Sequence, residues 1–489
     1  MSKQVSRRKF CSALGASSVL LGAPLLAEAS APLKRPNIVY IIADDLGWGD
    51  IAAYNPDSKI PMKFYNMFAK QGRRFTDMHS SAAVCTPSRY SVLTGRYPWR
   101  SRLKEGVLNG YSPMLIESGR LTVPGLLKKA GYCTAGVGKW HLGLGESEKA
   151  DFEKPLRPGP VTCGFDYYYG IPASLDMSPY LYFENDRTVE LPTVQDPGNN
   201  EPRGVMWRPG NRAPHFDIPQ VLPSLTAKAC SVIKDRATHP DKPFFLYFAM
   251  PSPHTPWVPL PEFKGKSNAG DYGDYVVEVD AMVGAVLGAI QSSGLEENTL
   301  VILTSDHGAD WKPNDIKRWN HRSNANWRGE KADVWEGGHR VPFIARWPGH
   351  IPADTVCDET GSLTDFLATL ADCLHQPLPS DAGEDSFSLL PAFFGTSHGP
   401  IREAIVSESN SGMFTIREGE WKLALGLGSG GFSAPREIEP VAGGPQGQLY
   451  NLRSDPSESN NVWLERPDIV TRLTSMLNSY KSSGRSTAG

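Results

Sequence analysis

The sequence predicts an α/β fold in which helices sandwich a large, mostly parallel β-sheet, followed by a smaller C-terminal α+β subdomain. Short apolar runs rich in β-branched residues recur along the chain, and such runs are typical of strands buried on both faces of a parallel sheet. Helical patterns lie between these runs, as at 123–130 and 275–292, and this alternation indicates an α/β sandwich. Near residue 390 the pattern changes to short strands of antiparallel type.

The predicted strands share one feature, which is that polar side chains follow the last apolar residue. The four clearest runs are 37–43 before Asp44 and Asp45, 134–137 before Lys139 and His141, 244–249 before His254, and 300–304 before Asp306 and His307. In open α/β sheets, ligands bind beyond the carboxyl ends of the strands. Since packing does not explain four polar clusters at one edge, we expect a site there.

The remaining segments complete the predicted organisation. Residues 145–225 are rich in Pro, Gly and Tyr with little periodicity, which predicts long loops over the sheet edge. The C-terminal part predicts short antiparallel strands and a closing helix, at 414–417, 421–425, 448–451 and 467–480. We expect a large domain over 34–390 and a subdomain over 391–489.

The composition excludes one class of function. The chain has 489 residues, 40% of them hydrophobic and 21% charged, which is ordinary for a globular protein. Lys and Arg number 50 and Asp and Glu 53, for a net charge of −3. A protein that binds polyanions through bulk positive charge is therefore excluded, and we expect no nucleic-acid partner.

Residues 1–31 are typical of a targeting segment, here a secretory signal peptide. A basic start with paired Arg7 and Arg8 precedes an uncharged stretch and small residues up to Ala31. The stretch is shorter than the roughly 20 apolar residues of a membrane span, although an uncleaved anchor is the alternative. The arginine pair resembles a bacterial twin-arginine signal, so we expect the Tat machinery as a partner and an exported, periplasmic or extracellular protein. No later segment predicts stable membrane insertion.

Six cysteines lie beyond this segment, and none has the C-x-x-C spacing of a zinc site. Five are expected to be buried thiols or to form one or two disulfides. The sixth, Cys85, opens a C-T-P-S-R motif that is followed after three residues by L-T-G-R. Pro87 suits the first turn of a helix and Gly95 its end. Cys85 then lies at a helix N-terminus, which favours an anion, although a lone cysteine is more commonly a small buried hydrophobe.

Together these two motifs match every specified position in the signature of the type I sulfatases, a family that the chain resembles from Pro36 to about Gly349. Five further motifs follow in the family's order: Ala43–Gly47, Gly138–Gly143, Ser252–Pro256, Thr304–Gly308, and Lys331 with 335–342. The resemblance implies the α/β fold of the alkaline-phosphatase-like superfamily, with residues 34–390 as the catalytic domain. It implies sulfate ester hydrolysis as the activity.

The resemblance also implies a modified nucleophile. In this family the signature cysteine is oxidised after translation to formylglycine, which implies the same for Cys85 and a formylglycine-generating or sulfatase-maturating enzyme as a partner. The hydrated aldehyde, activated by a divalent cation and Arg89, attacks sulfur in line. His254 or Lys331 protonates the departing oxygen, and His141 is the base that returns the aldehyde.

Asp44, Asp45 and Asp306 are the predicted metal ligands. Adjacent carboxylates at the end of a buried strand repel each other unless a cation lies between them. Three hard oxygen ligands suit Ca²⁺ or Mg²⁺. The predicted set also includes the modified Cys85 and His307, and His307 has two open roles, metal ligand or hydrogen-bond partner of the sulfate, because many relatives have Asn there.

A positive wall is predicted around the sulfate. Its members are Arg89, Lys139, His141, His254 and Lys331. Cleavage of a sulfate ester builds charge on the leaving oxygen, and cations and donors around it stabilise that transition state.

The predicted substrate-binding residues are Arg100, Arg102, His321 and Arg322, in loops next to the motifs. Export and the basic, aromatic loops favour sulfated glycans as substrates. Two alternatives stay open. One is a phosphodiesterase or phosphonate monoester hydrolase of the same superfamily, some of which use formylglycine. The other is a non-catalytic receptor for sulfated glycans whose cysteine is never modified.

Overall fold

The computed structural model of the chain describes residues 35–199, 201, 203–206 and 208–487, and the predicted signal peptide lies outside them. The strands are β1 (Asn37–Asp44), β2 (Arg73–His79), β3 (Cys133–Lys139), β4 (Tyr167–Ile171), β5 (Phe183–Glu184), β6 (Arg187–Thr188), β7 (Val194–Asp196), β8 (Gly210–Arg212), β9 (Phe244–Pro253), β10 (Thr299–Ser305), β11 (Arg340–Arg346), β12 (Thr355–Cys357), β13 (Gly361–Ser362), β14 (Ile405–Glu408), β15 (Phe414–Glu418), β16 (Trp421–Ala424) and β17 (Gln448–Asn451). The α-helices are α1 (Lys63–Gln71), α2 (Cys85–Thr94), α3 (Val123–Lys129), α4 (Val221–Ala237), α5 (Gly270–Ser292), α6 (Pro313–Trp319), α7 (Glu336–His339), α8 (Phe366–Cys373), α9 (Leu390–Phe394) and α10 (Pro467–Ser482).

An eleven-stranded sheet forms the centre, in the order β12-β2-β11-β10-β1-β9-β3-β4-β5-β6, with β13 paired to β2. Strands β10, β1, β9, β3 and β4 are parallel neighbours, whereas β11 runs antiparallel to β10 and β2. The prediction of a mostly parallel sheet is confirmed. The four predicted runs lie side by side in β10, β1, β9 and β3, so their carboxyl ends meet at one edge.

The core forms because the central strands are apolar on both faces. Every residue of β1 and β9 is buried. On one face the rings of Tyr40 and Phe245 contact Phe366 of α8. Helices α4 and α5 also pack against β9, so helices flank the sheet as predicted.

The prediction that 145–225 forms long loops over the sheet edge is partly wrong. Strand β4 joins the sheet beside β3, and the short pairs β5–β6 and β7–β8 follow. Tyr168 of β4 is buried and packs edge-on against Trp140 and Phe165. A five-residue strand carries too little local pattern to stand out, and tertiary packing of its aromatic rings determines its place.

The C-terminal subdomain has the predicted form, a four-stranded antiparallel sheet in the order β14-β15-β16-β17 with the helix α10. Strand β14 was not expected. Its Val406 packs in a cluster with Ile416, Leu473 and Leu477, and Tyr97 of the larger sheet's helical layer joins that cluster. The boundary at residue 390 stays a prediction.

No described helix is long and apolar enough to cross a bilayer. The cysteines of the described residues are all free, so the thiol alternative applies to them.

A buried hydrogen-bond chain links the larger sheet to the subdomain. Lys422 of β16 donates through Nζ to His339 Nε2 at 3.0 Å, which leaves the proton of His339 on Nδ1 for His79 at 3.0 Å. His79 then donates through Nε2 to Asp77 Oδ1 at 3.0 Å. Both histidines are therefore neutral in the folded protein, and burial is the main cause that lowers the pKa of each.

The hydrogen-bond chain from Lys422 to Asp77 predicts that the stability of the protein depends on pH. Histidines with a lowered folded pKa take up protons more readily in the unfolded chain, so their contribution is present above about pH 6.5 and is lost as the pH falls below it. Each histidine contributes a slope of up to about 1.4 kcal/mol per pH unit. We expect His339→Gln to flatten the dependence of the unfolding free energy on pH between about 7 and 5.

The quantity that tests the prediction is the difference between the wild type and His339→Gln in the slope of unfolding free energy against pH. Burial raises the pKa of Glu330 and Glu408 to about 8, and in both proteins these groups change that slope in the direction opposite to the histidines. Denaturant unfolding at several pH values measures it. His398→Gln, at an exposed position, is the matched control and should keep the wild-type slope. Parallel curves for His339→Gln and the wild type would contradict the proposed proton chain.

Candidate active site

The site lies where the carboxyl ends of β10, β1, β9 and β3 meet. Asp44 ends β1, Lys139 ends β3, and His254 and Asp306 directly follow β9 and β10. All four side chains are at least 94% buried. The sheet therefore brings together charged groups that are distant in sequence.

Cys85 is the first residue of α2, as predicted. Pro87 lies in the first turn, and Gly95 ends the helix with a φ of 65°, a left-handed conformation that glycine adopts without strain. Cys85 Sγ lies 3.5 Å from Asp44 Oδ1 and 3.4 Å from His307 Nε2.

The charges around Cys85 favour an anion. Burial alone raises a thiol pKa, but Lys139, Lys331 and His307 outweigh burial and hold the pKa of Cys85 well below its ordinary value. Among the described cysteines this one differs from Cys163 and Cys373, whose pKa values burial raises to about 12 and about 11. The surroundings of Cys85 thus favour a thiolate, whereas those of Cys163 and Cys373 favour a neutral thiol.

Asp44, Asp45 and Asp306 form a buried carboxylate cluster beside Cys85. Ligand atoms of Asp44, Cys85, Asp306 and His307 lie within 4.8 Å of one another, and those of Asp44, Asp45, Cys85 and His254 do so as well. Burial and the adjacent Asp44 raise the pKa of Asp306 to about 6, and burial raises the pKa of Asp45 despite Lys331. The described cations thus leave these two carboxylates short of positive charge.

The backbone is strained at the same place. Asp45 has a φ of 67° and His141 a φ of 55°, a region that residues other than glycine rarely adopt. Such strain clusters at functional sites. Glycine is required directly before Lys139, because a Cβ on Gly138 would lie 1.9 Å from the Ala249 carbonyl oxygen.

His307 directs one nitrogen into the carboxylate cluster. Its Nδ1 donates to the Gly308 carbonyl at 2.9 Å, since a carbonyl oxygen only accepts. Its Nε2 lies 3.5 Å from both Asp45 Oδ1 and Asp306 Oδ1. Asp306 and Cys85 together outweigh burial and raise the pKa of His307 to about 9.

Three buried cations surround the cluster. Arg89 donates through Nη2 to Asp306 Oδ2 at 2.9 Å, and Lys331 Nζ lies 2.8 Å from Asp45 Oδ1. Lys139 pairs with Asp44. Arg89 and Lys139 have no exposed surface, so water does not screen these charges strongly.

The two predicted histidines differ in protonation. His141 donates through Nε2 to the Leu108 carbonyl at 2.7 Å, and its buried Nδ1 has no partner in the described part of the chain. Burial and Lys139 lower the pKa of His141, although its interaction with Cys85 acts in the opposite direction, so Nδ1 is the nitrogen that can accept a proton. For His254, the carboxylates of Asp45 and Asp44 outweigh burial and Lys331 and raise the pKa to about 9.

The four predicted substrate residues do not come together as a group. Arg100 makes two 2.8 Å hydrogen bonds to Asp385, and His321 is buried with its Nε2 2.8 Å from Asp50. Arg102 is exposed and donates to the Pro113 carbonyl at 2.7 Å, and Arg322 is exposed. Their substrate role stays a prediction, and the contacts of Arg100 and His321 give it no support.

Sequence reasoning missed Asp176, a buried residue in the loop region before β5. Its Oδ1 lies 3.9 Å from His254 Nδ1, and its Oδ2 lies 3.4 Å from the guanidinium of Arg208. Neither residue belongs to a recognisable motif, and the sequence of residues 145–225 around them shows little periodicity. No sequence signal pointed to either one.

The chain is similar to known proteins over most of its length. A family model described as Sulfatase matches residues 36–376. An N-acetylgalactosamine-6-O-sulfatase of Bacteroides thetaiotaomicron is 34% identical over 92% of this chain and 94% of the relative. Human arylsulfatase A is 34% identical over 92% of this chain and 87% of the relative.

Solved structures show the same fold. A Bacteroides thetaiotaomicron structure, described in connection with the metabolism of multiple glycosaminoglycans, matches with a TM-score of 0.83 and 33% identity, covering 92% of this chain and 99% of that one. The PsFucS1 sulfatase of Pseudoalteromonas sp. matches with a TM-score of 0.74 and 25% identity, covering 93% and 92%.

Proposed function

The chain belongs to the sulfatase family, and on that premise we propose that it hydrolyses sulfate esters of carbohydrates with a nucleophile formed from Cys85. The observation that carries this proposal is the position of Cys85, between a buried carboxylate cluster and buried cations at the N-terminus of α2. A tetrahedral anion placed there meets positive charge on several sides.

Formylglycine at position 85 fits the surroundings. The signature motif is complete. The aldehyde that replaces the thiol is also a small group, so contacts with Asp44 and His307 remain possible at this position. We propose that a maturation enzyme oxidises Cys85 before or during export.

A divalent cation fits the carboxylate cluster. Asp44, Asp45 and Asp306 offer buried hard oxygens, and the raised pKa values of Asp45 and Asp306 indicate missing positive charge. His307 Nε2 points into the same cluster, which favours its metal-ligand role over a hydrogen bond to the sulfate. We propose Ca²⁺ or Mg²⁺, which acts as a Lewis acid and stabilises negative charge when bound.

The sulfate lies among the three cations in this proposal. Arg89, Lys139 and Lys331 are held by Asp306, Asp44 and Asp45, so they are positioned before the substrate arrives. Preorganised donors in a dry site stabilise developing charge without reorganisation at the moment of reaction.

The two histidines suit opposite proton transfers. His254 Nδ1 donates to the Thr255 carbonyl at 2.8 Å, which leaves Nε2 as the nitrogen that can give a proton to the departing oxygen. Lys331 is the other candidate acid. His141 has its Nε2 proton fixed on Leu108, so its Nδ1 can take a proton from the group at residue 85.

The remaining proposals concern the cell. We propose that residues 1–31 direct export through the Tat machinery to the periplasm or beyond, where sulfated glycans are available. Relatives named for N-acetylgalactosamine 6-sulfate support a glycan substrate.

The test has two measurements. Mass spectrometry of the peptide that contains residue 85 should show the aldehyde in place of the thiol after expression with a maturation enzyme. The same preparation should release sulfate from sulfated saccharides and from an aryl sulfate, with much lower kcat/KM on an aryl phosphate diester.

Each alternative has its own signature in this experiment. An unmodified thiol together with binding of sulfated glycans but no turnover would favour the receptor. A higher kcat/KM on the phosphate diester than on every sulfate ester would favour the phosphodiesterase or phosphonate monoester hydrolase.

A further inference from the structure

A cavity of about 670 Å³ lies next to the site and is not part of the sulfate-binding cluster. Two of its lining residues connect it to the catalytic histidines. Leu108 accepts the hydrogen bond of His141, and Met177 directly follows Asp176, whose carboxylate lies 3.9 Å from His254. The cavity therefore lies beside residues that contact the two histidines that we assign to proton transfer.

Asp176 does not itself line the cavity, but it contacts Arg208, which does. It is only 4% exposed, and its Oδ1 accepts no hydrogen bond from any described residue. His254 does not satisfy it, because the Nδ1 proton goes to the Thr255 carbonyl. A buried charged acceptor without a donor is costly, and a donor supplied by a ligand removes that cost.

Arg208 lines the cavity and lies beside Asp176, with Nη1 3.4 Å from Oδ2. The pair thus presents an acceptor and a donor side by side. A pyranose ring offers the matching pair, since adjacent ring positions carry a hydroxyl or amide donor and an oxygen acceptor. Polar groups placed in this way fix the orientation of a ligand in a cavity.

Tyr111 supplies an apolar surface on the same cavity. Its ring is held edge-on against Phe152 at 5.6 Å, and the Lys149 ammonium lies 4.6 Å from the ring centroid. Both Tyr111 and Lys149 line the cavity. A fixed aromatic ring suits the apolar face of a sugar.

We propose that this cavity, defined by Tyr111, Lys149, Met177 and Arg208 and called the sugar cavity, binds the ring of the sulfated sugar. Asp176 accepts a hydrogen bond from a ring hydroxyl or amide N–H, and Arg208 donates to an oxygen of the same ring. The inference rests on the proposed function and deepens it, because it makes a sulfated saccharide, not a sulfated phenol, the preferred substrate. A simple aryl ester carries no donor for Asp176.

The test combines substrate analogues with variants. The best substrate in a panel of monosulfated hexoses and N-acetylhexosamines is compared with its monodeoxy and deamido analogues and with 4-nitrophenyl sulfate. For the wild type, the analogue that lacks the Asp176 partner should lose about 10- to 100-fold in kcat/KM. Asp176→Asn should lose a similar factor on the parent sugar and show little further loss on that analogue.

Asp151→Asn, an exposed aspartate elsewhere in the same loop region, is the matched control and should keep the wild-type pattern across the panel. Equal losses by Asp176→Asn on the sugar and on 4-nitrophenyl sulfate would show that Asp176 acts through His254, and would overturn the inference. The inference would also be overturned if the loss from Asp176→Asn and the loss from each analogue simply added as free energies.

The inference and the proposed function fail differently. If saccharides are hydrolysed but no analogue couples to Asp176, the sugar cavity is wrong and the proposed function stands. If the protein with verified formylglycine releases no sulfate from any ester, the proposed function itself is wrong.

Discussion

Cys85→Ser is expected to abolish multiple turnover, with at most one equivalent of alcohol released per protein molecule. The serine hydroxyl can attack sulfur once, because the cations Arg89, Lys139 and Lys331, which we propose hold the sulfate, are unchanged. It cannot then release sulfate by returning to an aldehyde, since it has a single oxygen on its side-chain carbon. The steady-state rate should fall by about 10³-fold or more, as when other enzymes lose a reacting nucleophile.

Alcohol release in a rapid-mixing experiment, and the mass of the peptide with residue 85, measure this outcome. Sulfate should remain on the introduced serine. Cys230→Ser, at a half-buried position in α4, is the control and should keep full turnover. The host must oxidise cysteine only, because some maturation systems also accept serine. Sustained turnover by a variant whose serine is verified as unmodified would show that formylglycine is not needed.

The sequence predicted the centre of the molecule well because two strong constraints coincide there. Buried parallel strands must be apolar on both faces, so runs such as 37–43 are visible without tertiary information. Parallel strands also share one carboxyl edge, which is why Asp44 and Asp306, although 262 positions apart, were expected in one site. Their ligand atoms do lie within 4.8 Å of each other.

Other features depend on packing that the sequence pattern does not encode. Strand β4 has five residues, and its place beside β3 follows from the burial of Tyr168. Charged side chains in loops were the least predictable. Arg100 is positive and close to a motif, yet its guanidinium is paired with Asp385 from a distant segment. Asp176 gave no signal at all, because an isolated aspartate in a proline-rich loop is most commonly exposed.

Removal of the divalent cation is expected to abolish activity, and Ca²⁺ or Mg²⁺ should restore it. Three buried carboxylates face one another at this point, and a divalent cation between them would offset their mutual repulsion. Lys331 forms an ion pair with Asp45, Lys139 with Asp44 and Arg89 with Asp306. These pairings do not supply all the charge that the cluster needs, because burial still raises the pKa of Asp45 and of Asp306.

The expected loss after exhaustive chelation is about 10³-fold or more, since metal stabilisation of charge is worth several kcal/mol. The metal content is measured by elemental analysis and the activity by sulfate release, before and after each ion is returned. Asp306→Asn should weaken metal binding and need a higher cation concentration for activity, whereas Asp151→Asn, with an exposed carboxylate, should not. Thermal unfolding gives a second readout, because a cation that binds only the folded state raises Tm and chelation should lower it. Full activity in protein with no detectable cation would show that the carboxylates serve another purpose, and the metal assignment of Asp44, Asp45 and Asp306 would be wrong.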